Sequence, residues 1–426
     1  MKEVRAELLT IGDEILYGQI VDTNSQWMGE ALSAVGIRVV RNTTVGDVAE
    51  DILAVFAEGE KRADIVLITG GLGPTNDDLT KPCLAEYFGC GMALHEGALA
   101  DVTAFFARRG RALTELNRMQ AVLPVCCEKI TNRLGTAPGM WFHRNGKVFV
   151  SMPGVPHEMK TMMSEIIIPK LLKTFSTPSI HHWIIRTVGI GESFLADRIR
   201  SWENSLPPHI RLAYLPGYGE VKLRLTAFGD NAEALREEVQ ELTEKFCKLA
   251  GEYVYGFGDK PLETVVGELL REKKLTLATA ESCTGGHVAH LVTSVPGSSD
   301  YFLGSIVSYA NDVKIEALDV PPQLLSEHGA VSEPVVRAMA EGIRKKLKAD
   351  IGVATSGVAG PSGGTPEKPV GTVWIAYADA TRTVARKLQL SPDRMINIRV
   401  TSVQVLNLIR QSVQDAGINR PGRKEK

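Results

Sequence analysis

The sequence predicts an α/β protein of three domains: a parallel-sheet α/β domain over 1–172, a small α+β domain over 181–256 and a second α/β domain over 260–414. Three observations predict it. At 426 residues the chain exceeds a single ordinary hydrophobic core. Strand-like apolar runs alternate with helical periodicity, the pattern of successive βαβ units. Two breaks interrupt that alternation, the Ser/Thr/Pro-containing linker Lys173 to Ile180 and the Gly-rich connection Gly256-Phe257-Gly258-Asp259.

The elements follow in order. Strand Val4 to Ile11, helix Asn24 to Val35 closed by Gly36, strand Ile37 to Thr44, helix Val48 to Glu60 and strand Asp64 to Thr69 make a parallel sheet with helices on both faces. Helices Asp78 to Phe88 and Ala98 to Arg109, strand Val148 to Ser151 and helix Pro156 to Leu172 complete this domain. The middle domain has strands near Trp183 to Val188, Ile210 to Tyr214 and Glu220 to Ala227, with helices near Phe194 to Trp202 and Asn231 to Leu249. In the third domain, strands around Leu275 to Thr279, Gly304 to Tyr309, Asp350 to Thr355, Gly371 to Tyr377 and Thr383 to Leu390 interleave with helices. A short basic tail, 415–426, reads as a solvated end.

Composition narrows the function classes. A formal net charge of -2 supplies no general attraction to polyanions. The cysteines at 83, 90, 126, 127, 247 and 283 have no C-x-x-C spacing, which argues against a structural zinc site and against a disulfide framework. Cys283 reads as a small buried hydrophobe rather than a catalytic thiol. His287, His290 and His328 are separated and take no chemistry. No apolar run approaches the ~20 residues of a spanning helix, and no signal peptide pattern opens the chain, so the expected location is cytoplasmic.

Two stretches carry chemistry. In Thr279-Ala280-Glu281-Ser282-Cys283-Thr284-Gly285-Gly286 a strand ends and a helix begins, which holds a serine hydroxyl at a tight turn. Gly285 and Gly286 allow close backbone approach, and the N–H groups starting the next helix stand free for an anion or a developing oxyanion. That suits a nucleophile or a phosphate cradle, while an ordinary cap by Ser282 or Thr284 is the alternative. In Thr69 to Asp78, three glycines after a strand clear space for a phosphate or pterin edge, and Asp77 and Asp78 can ligate a hard cation or orient a water. There too the alternative is a helix cap.

Longer motifs show a resemblance. Gly12 to Leu16 (GDEIL), Asp22 to Asn24, Thr69 to Thr80, Gly135 to Met140 and Pro153 to Lys160 resemble the molybdopterin-binding, MoaB/MogA-like domain, in the version found in the CinA (competence/damage-inducible) proteins. Thr279 to Gly286, Gly297 to Phe302, Ser308 to Lys314, His328 to Val335 and Ser356 to Ala376 are similar, in the same order, to the nicotinamide mononucleotide deamidase domain of that family. For the first domain the resemblance implies hydrolysis of ADP-ribose to AMP and ribose 5-phosphate with a divalent metal. Asp77 and Asp78 are then the metal candidates, and Asn24, Gly70, Gly71 and Thr75 line the pocket. Met119 stands where many relatives carry a basic residue.

For the last domain it implies metal-free deamidation of nicotinamide mononucleotide to nicotinic acid mononucleotide and ammonia. An amide needs an activated nucleophile, an oxyanion stabiliser and a proton for the departing ammonia. Ser282 supplies the hydroxyl, and Lys314 is a base if burial and cationic neighbours lower its pKa. Tyr309 relays the proton or holds the ring. Thr284, Gly285, Gly286, Ser299 and Ser356 contact substrate, and Ser299 is the rival nucleophile. Arg394, at the family's arginine position, binds the 5′-phosphate. The resemblance makes the middle domain KH-like, yet its glycine loops Gly189 to Glu192 and Gly217 to Glu220 are mis-spaced and acidic, so it reads as a spacer or dimerisation element rather than a nucleic-acid binder. The expectation is a homodimeric hydrolase of small nucleotides that engages no membrane. The alternatives are a molybdopterin-handling protein and a DNA-binding competence scaffold.

Overall fold

The computed structural model describes residues 3–75 and 78–415. Its tertiary contacts divide the chain into two units, one running to His181 with Ala227–Arg236, the other comprising His182–Thr226 and the chain from Glu237 onward.

The first unit is built on a six-stranded sheet. Strands β1 (Arg5–Ile11), β2 (Arg38–Val45) and β3 (Ile65–Thr69) are parallel. A small antiparallel pair, β4 (Met92–Leu94) and β5 (Val122–Pro124), lies apart from it. β6 (Glu128–Ile130), β7 (Gly139–Arg144) and β8 (Lys147–Met152) complete the order β2-β1-β3-β8-β7-β6. Successive residues alternate between two cores: Ala6, Leu8, Ile65 and Leu67 pack with Met28 and Leu32, whereas Leu9, Ile11, Val66 and Ile68 pack with Ile52 and Phe56. That is the signature of parallel strands covered on both faces.

The sheet is not parallel throughout. β7 and β8 form an antiparallel hairpin through Asn145-Gly146, both at positive φ (52° and 75°), as a type I′ turn requires. Cysteine spacing also missed a bond. The β4/β5 pairing sets Cys90 and Cys126 together, and their sulfurs form a disulfide across 36 positions of sequence. Proximity created by strand pairing leaves no trace in spacing.

The second unit holds two sheets. β9 (Ser179–Val188), β10 (Ile210–Pro216), β11 (Glu220–Gly229) and β12 (Val254–Phe257) take the order β10-β11-β9-β12. The supposed connection at 256–259 thus begins inside a strand paired with β9. β13 (Leu277–Glu281), β14 (Phe302–Val307), β15 (Ile351–Gly357), β16 (Thr372–Ala378) and β17 (Thr383–Gln389) take the order β14-β13-β15-β16-β17. β13, β14 and β15 are parallel, and the last two strands return antiparallel. Leu277, Ile351 and Val353 face one core, and Ala278, Ala280 and Ala354 the other.

Candidate functional site

The parallel part of the five-stranded sheet gathers one site at its strand C-termini. Ser282 follows β13, and its N–H donates to the carbonyl (3.0 Å) and hydroxyl (3.3 Å) of Thr355 on β15. Lys314, on the helix Asn311–Leu318 beyond β14, is 1% exposed and brings Nζ to 3.3 Å from Ser282 Oγ. The same nitrogen donates to the carbonyls of Ser308 (2.7 Å) and Tyr309 (3.3 Å). Burial holds the Lys314 pKa below the usual lysine value, opposed by Cys283 alone. Cationic neighbours play no part in lowering it. Burial also pushes the Cys283 thiol up to about 12, so this cysteine is no thiolate nucleophile.

Arg394 opens the helix Arg394–Asp415 and joins the group: Nη1 donates to Gly360 O (2.8 Å) and Nη2 to the Tyr309 hydroxyl (2.9 Å). With that oxygen accepting from the guanidinium, the Tyr309 O–H is left to donate outward. Tyr309 itself is 62% exposed, at the mouth of the site.

Three expectations need correction. The N–H groups that start the helix His287–Thr293 are not free, because the buried Glu281 carboxylate accepts from Gly286 N (3.0 Å), Val288 N (3.0 Å) and Ala289 N (2.8 Å). Glu281, rather than Ser282 or Thr284, caps the helix, and Gly285 and Gly286 serve this turn at φ 61° and 99°. Ser299 lies in the single turn Ser298–Asp300 before β14, at the opposite end of the strands from Ser282. Five strand residues separate the two ends, roughly 17 Å. Ser356 is buried with its hydroxyl on Ala330 O (2.7 Å), which makes it part of the scaffold. Thr284 Oγ1 contacts both Glu281 (2.7 Å) and Thr355 Oγ1 (2.8 Å). Reasoning from sequence missed Glu281 and Thr355, although each stands beside a serine it singled out.

In the first unit a cavity of about 460 Å³ opens at the C-terminal ends of β1, β3 and β8. Gly70, Gly71, Gly73 and Asp78 line it with Glu14, Asp47, Gln120 and Glu158. Gly70 (φ 105°) sits where a Cβ would meet Ile11 O at 2.0 Å, so its glycine is required by strand packing as well as by any ligand. Asp78 clasps the loop, accepting from Gly73 N (2.6 Å), Thr75 N (2.9 Å) and Thr75 Oγ1 (2.6 Å). Its first role is therefore loop closure, and it reaches back to the loop instead of capping the helix Thr80–Phe88. Asp77 lies outside the described residues. Asn24 lines a smaller adjoining cavity, with Nδ2 on Gly154 O (2.7 Å) and a buried Oδ1 that has no hydrogen-bond partner among the described residues. Asp47, Gln120 and Glu158 were not assigned from sequence, Glu158 despite lying within a quoted motif.

Among the described residues no three His, Cys, Asp or Glu side chains cluster closely enough to hold a metal alone. The carboxylates in the lining nevertheless fit a hard cation bound by one or two of them, with water and a phosphate completing its shell. Both glycine loops of the middle domain line a cavity of about 680 Å³ together with Lys387, Val400 and Gln404 from the C-terminal part of the chain. No helix among the described residues is long and apolar enough to cross a membrane.

Comparison with known proteins matches residues 7–173 to the "Probable molybdopterin binding domain", 182–256 to the "Damage-inducible protein CinA KH domain" and 259–413 to the "CinA C-terminal domain". A CinA-like protein of Cytophaga hutchinsonii is 52% identical over 97% of this chain and 99% of its own. One from Flavobacterium psychrophilum is 42% identical over 96% and 99%. Among solved structures, CinA from Thermoplasma acidophilum, described as of unknown function, is 34% identical with a TM-score of 0.37, covering 39% of this chain and 99% of its own.

Proposed function

The chain belongs to the CinA family, and from that premise we propose that its C-terminal domain hydrolyses the carboxamide of nicotinamide mononucleotide. The observation that carries this reading is the buried Lys314 amine 3.3 Å from Ser282 Oγ. Burial lowers the Lys314 pKa, and in its neutral form the amine is a base for a serine hydroxyl. Lys314 takes the Ser282 proton as Oγ bonds to the carboxamide carbon. The C–N bond then breaks, the nitrogen leaves as ammonia with the proton from Lys314, and an ester remains on Ser282. Water, deprotonated by the same amine, attacks the ester carbon, Ser282 regains its proton and nicotinic acid mononucleotide departs. Tyr309 donates its O–H to the reacting group, and Arg394, with N–H donors beyond the two in use, meets the 5′-phosphate. Ammonia release from nicotinamide mononucleotide by the purified chain tests this. No release, with the fold intact, overturns it.

The lining of the first cavity supports a second activity, hydrolysis of ADP-ribose to AMP and ribose 5-phosphate. One or two of the lining carboxylates Glu14, Asp47, Asp78 and Glu158 would hold a divalent cation against the diphosphate, with water completing its shell. When bound, that cation would neutralise charge on the phosphates and lower the pKa of a water. The Asp78 clasp shapes the glycine loop, and Asn24 sits alongside to meet a ligand donor through its unpartnered Oδ1. AMP release that survives a chelator would remove this reading. The middle domain we read as a spacer whose glycine loops face the deamidase domain rather than a nucleic acid.

A further inference from the structure

We infer that Glu281 is a positioning residue of the Ser282 site, one that sets the nucleophile relative to its base without touching substrate. The inference rests on the reading of Ser282 as nucleophile. Glu281 is 1% exposed, and burial of a carboxylate is costly unless its oxygens are satisfied. Here they are. Besides the three helix-start amides, they accept from Thr284 Oγ1 (2.7 Å) and Thr279 Oγ1 (3.4 Å). A single neutral cap would serve one or two of those amides, whereas a carboxylate serves all three and complements the positive helix end.

The consequence lies in what the donors hold. Thr284 Oγ1 meets Thr355 Oγ1 at 2.8 Å, and Thr355 Oγ1 accepts from Ser282 N. The Glu281 carboxylate thus reaches the nucleophile's own peptide through two hydroxyls. On its other side, Glu281 O accepts from Ser308 N (2.8 Å), and Ser308 O accepts from Lys314 Nζ (2.7 Å). One residue therefore contacts the supports of both the hydroxyl and the amine. Releasing its side chain shifts Ser282 relative to Lys314 and leaves Arg394 and Tyr309 in place.

The test compares Glu281→Gln, Thr355→Val and Thr355→Ser in the full chain, with kcat and KM for nicotinamide mononucleotide, the rate of Ser282 labelling by a fluorophosphonate, and the thermal midpoint. Gln keeps the volume but turns an NH2 toward an amide N–H, and Val removes the linking hydroxyl. For both, kcat and labelling should fall about 10- to 100-fold while KM stays within about threefold, since a small misplacement of a reacting atom costs rate more than binding. Thr355→Ser restores the hydroxyl and should restore both rates. If Glu281→Gln does not fold, Thr355→Val decides. Folded variants with wild-type kcat and labelling, or a change confined to KM, overturn the inference. Should the wild type release no ammonia, the deamidase reading fails instead, and the labelling rates alone judge Glu281.

Discussion

At the scale of residues, the proposed mechanism makes Ser282 and Lys314 one unit, so their substitutions should not add. Ser282→Ala and Lys314→Met should each lower kcat by about 10³-fold or more, with the double variant scarcely worse. Equal additive losses would mean separate roles. Ser299→Ala should leave turnover within about twofold of wild type, because the residue sits at the far end of the strands. A dead Ser299→Ala would reverse the assignment. The pH dependence follows from the buried amine. Protonated Lys314 cannot accept the Ser282 proton, so activity is lost as pH falls through its folded pKa, which burial sets below 10.5. kcat/KM should therefore rise with pH and level off below that value, and a profile falling over the same range would exclude the lysine base.

At the scale of elements, the glycine loop after β3 and the helix it feeds place the first cavity's wall. Gly70→Ala drives a methyl into Ile11 O, and urea unfolding should show a loss of about 2 kcal/mol or more. Within the same wall, Lys81 is buried with Nζ on Gln120 O (2.9 Å), and its pKa falls to about 8, chiefly through burial. The unfolded chain then binds a proton that the native state lacks between pH 8 and 10.5. Stability from this group is present above the unfolded value and lost as pH falls through the folded one. Lys81→Met should flatten that rise in a pH series of denaturation midpoints, and an unchanged slope would show Lys81 titrating normally. The sequence made much of this scale legible, since Thr69 to Asp78 and Thr279 to Gly286 each sit between a β-periodic run and a helix. What it hid depends on side chains meeting across strands. The Asp78 clasp and the Glu281 cap satisfy particular N–H groups, and local pattern reveals those only once the turns exist. β7 was missed because Gly139-Met140-Trp141-Phe142 pairs on both sides and lacks polar alternation.

At the scale of the whole molecule, the two proposed activities draw on different cavities in different units and should separate. A chelator should stop AMP release from ADP-ribose and spare ammonia release, and loss of both would point to a shared metal. Stability should divide otherwise. The larger core of the second unit includes Val188 and Tyr255 from the KH-like part together with Leu262, Val266 and Leu406 from the C-terminal part. Arg410 Nη1 donates to Val254 O (3.4 Å), and Arg186 Nε to Gly258 O (2.7 Å). A fragment beginning at Lys260 keeps Ser282, Tyr309, Lys314 and Arg394 but loses Tyr255 and Val188 from its core. Removing two large apolar side chains from a packed core forfeits about 3–5 kcal/mol of burial. For a domain of this size that corresponds to a thermal midpoint lower by about 10 °C. The fragment should thus deamidate at low temperature with kcat close to that of the full chain and melt well below a fragment beginning at His182. Equal midpoints would show that the KH-like part adds nothing to this core. A cold, folded but inactive Lys260 fragment would place an essential part of the deamidase site outside the domain that carries its serine and lysine.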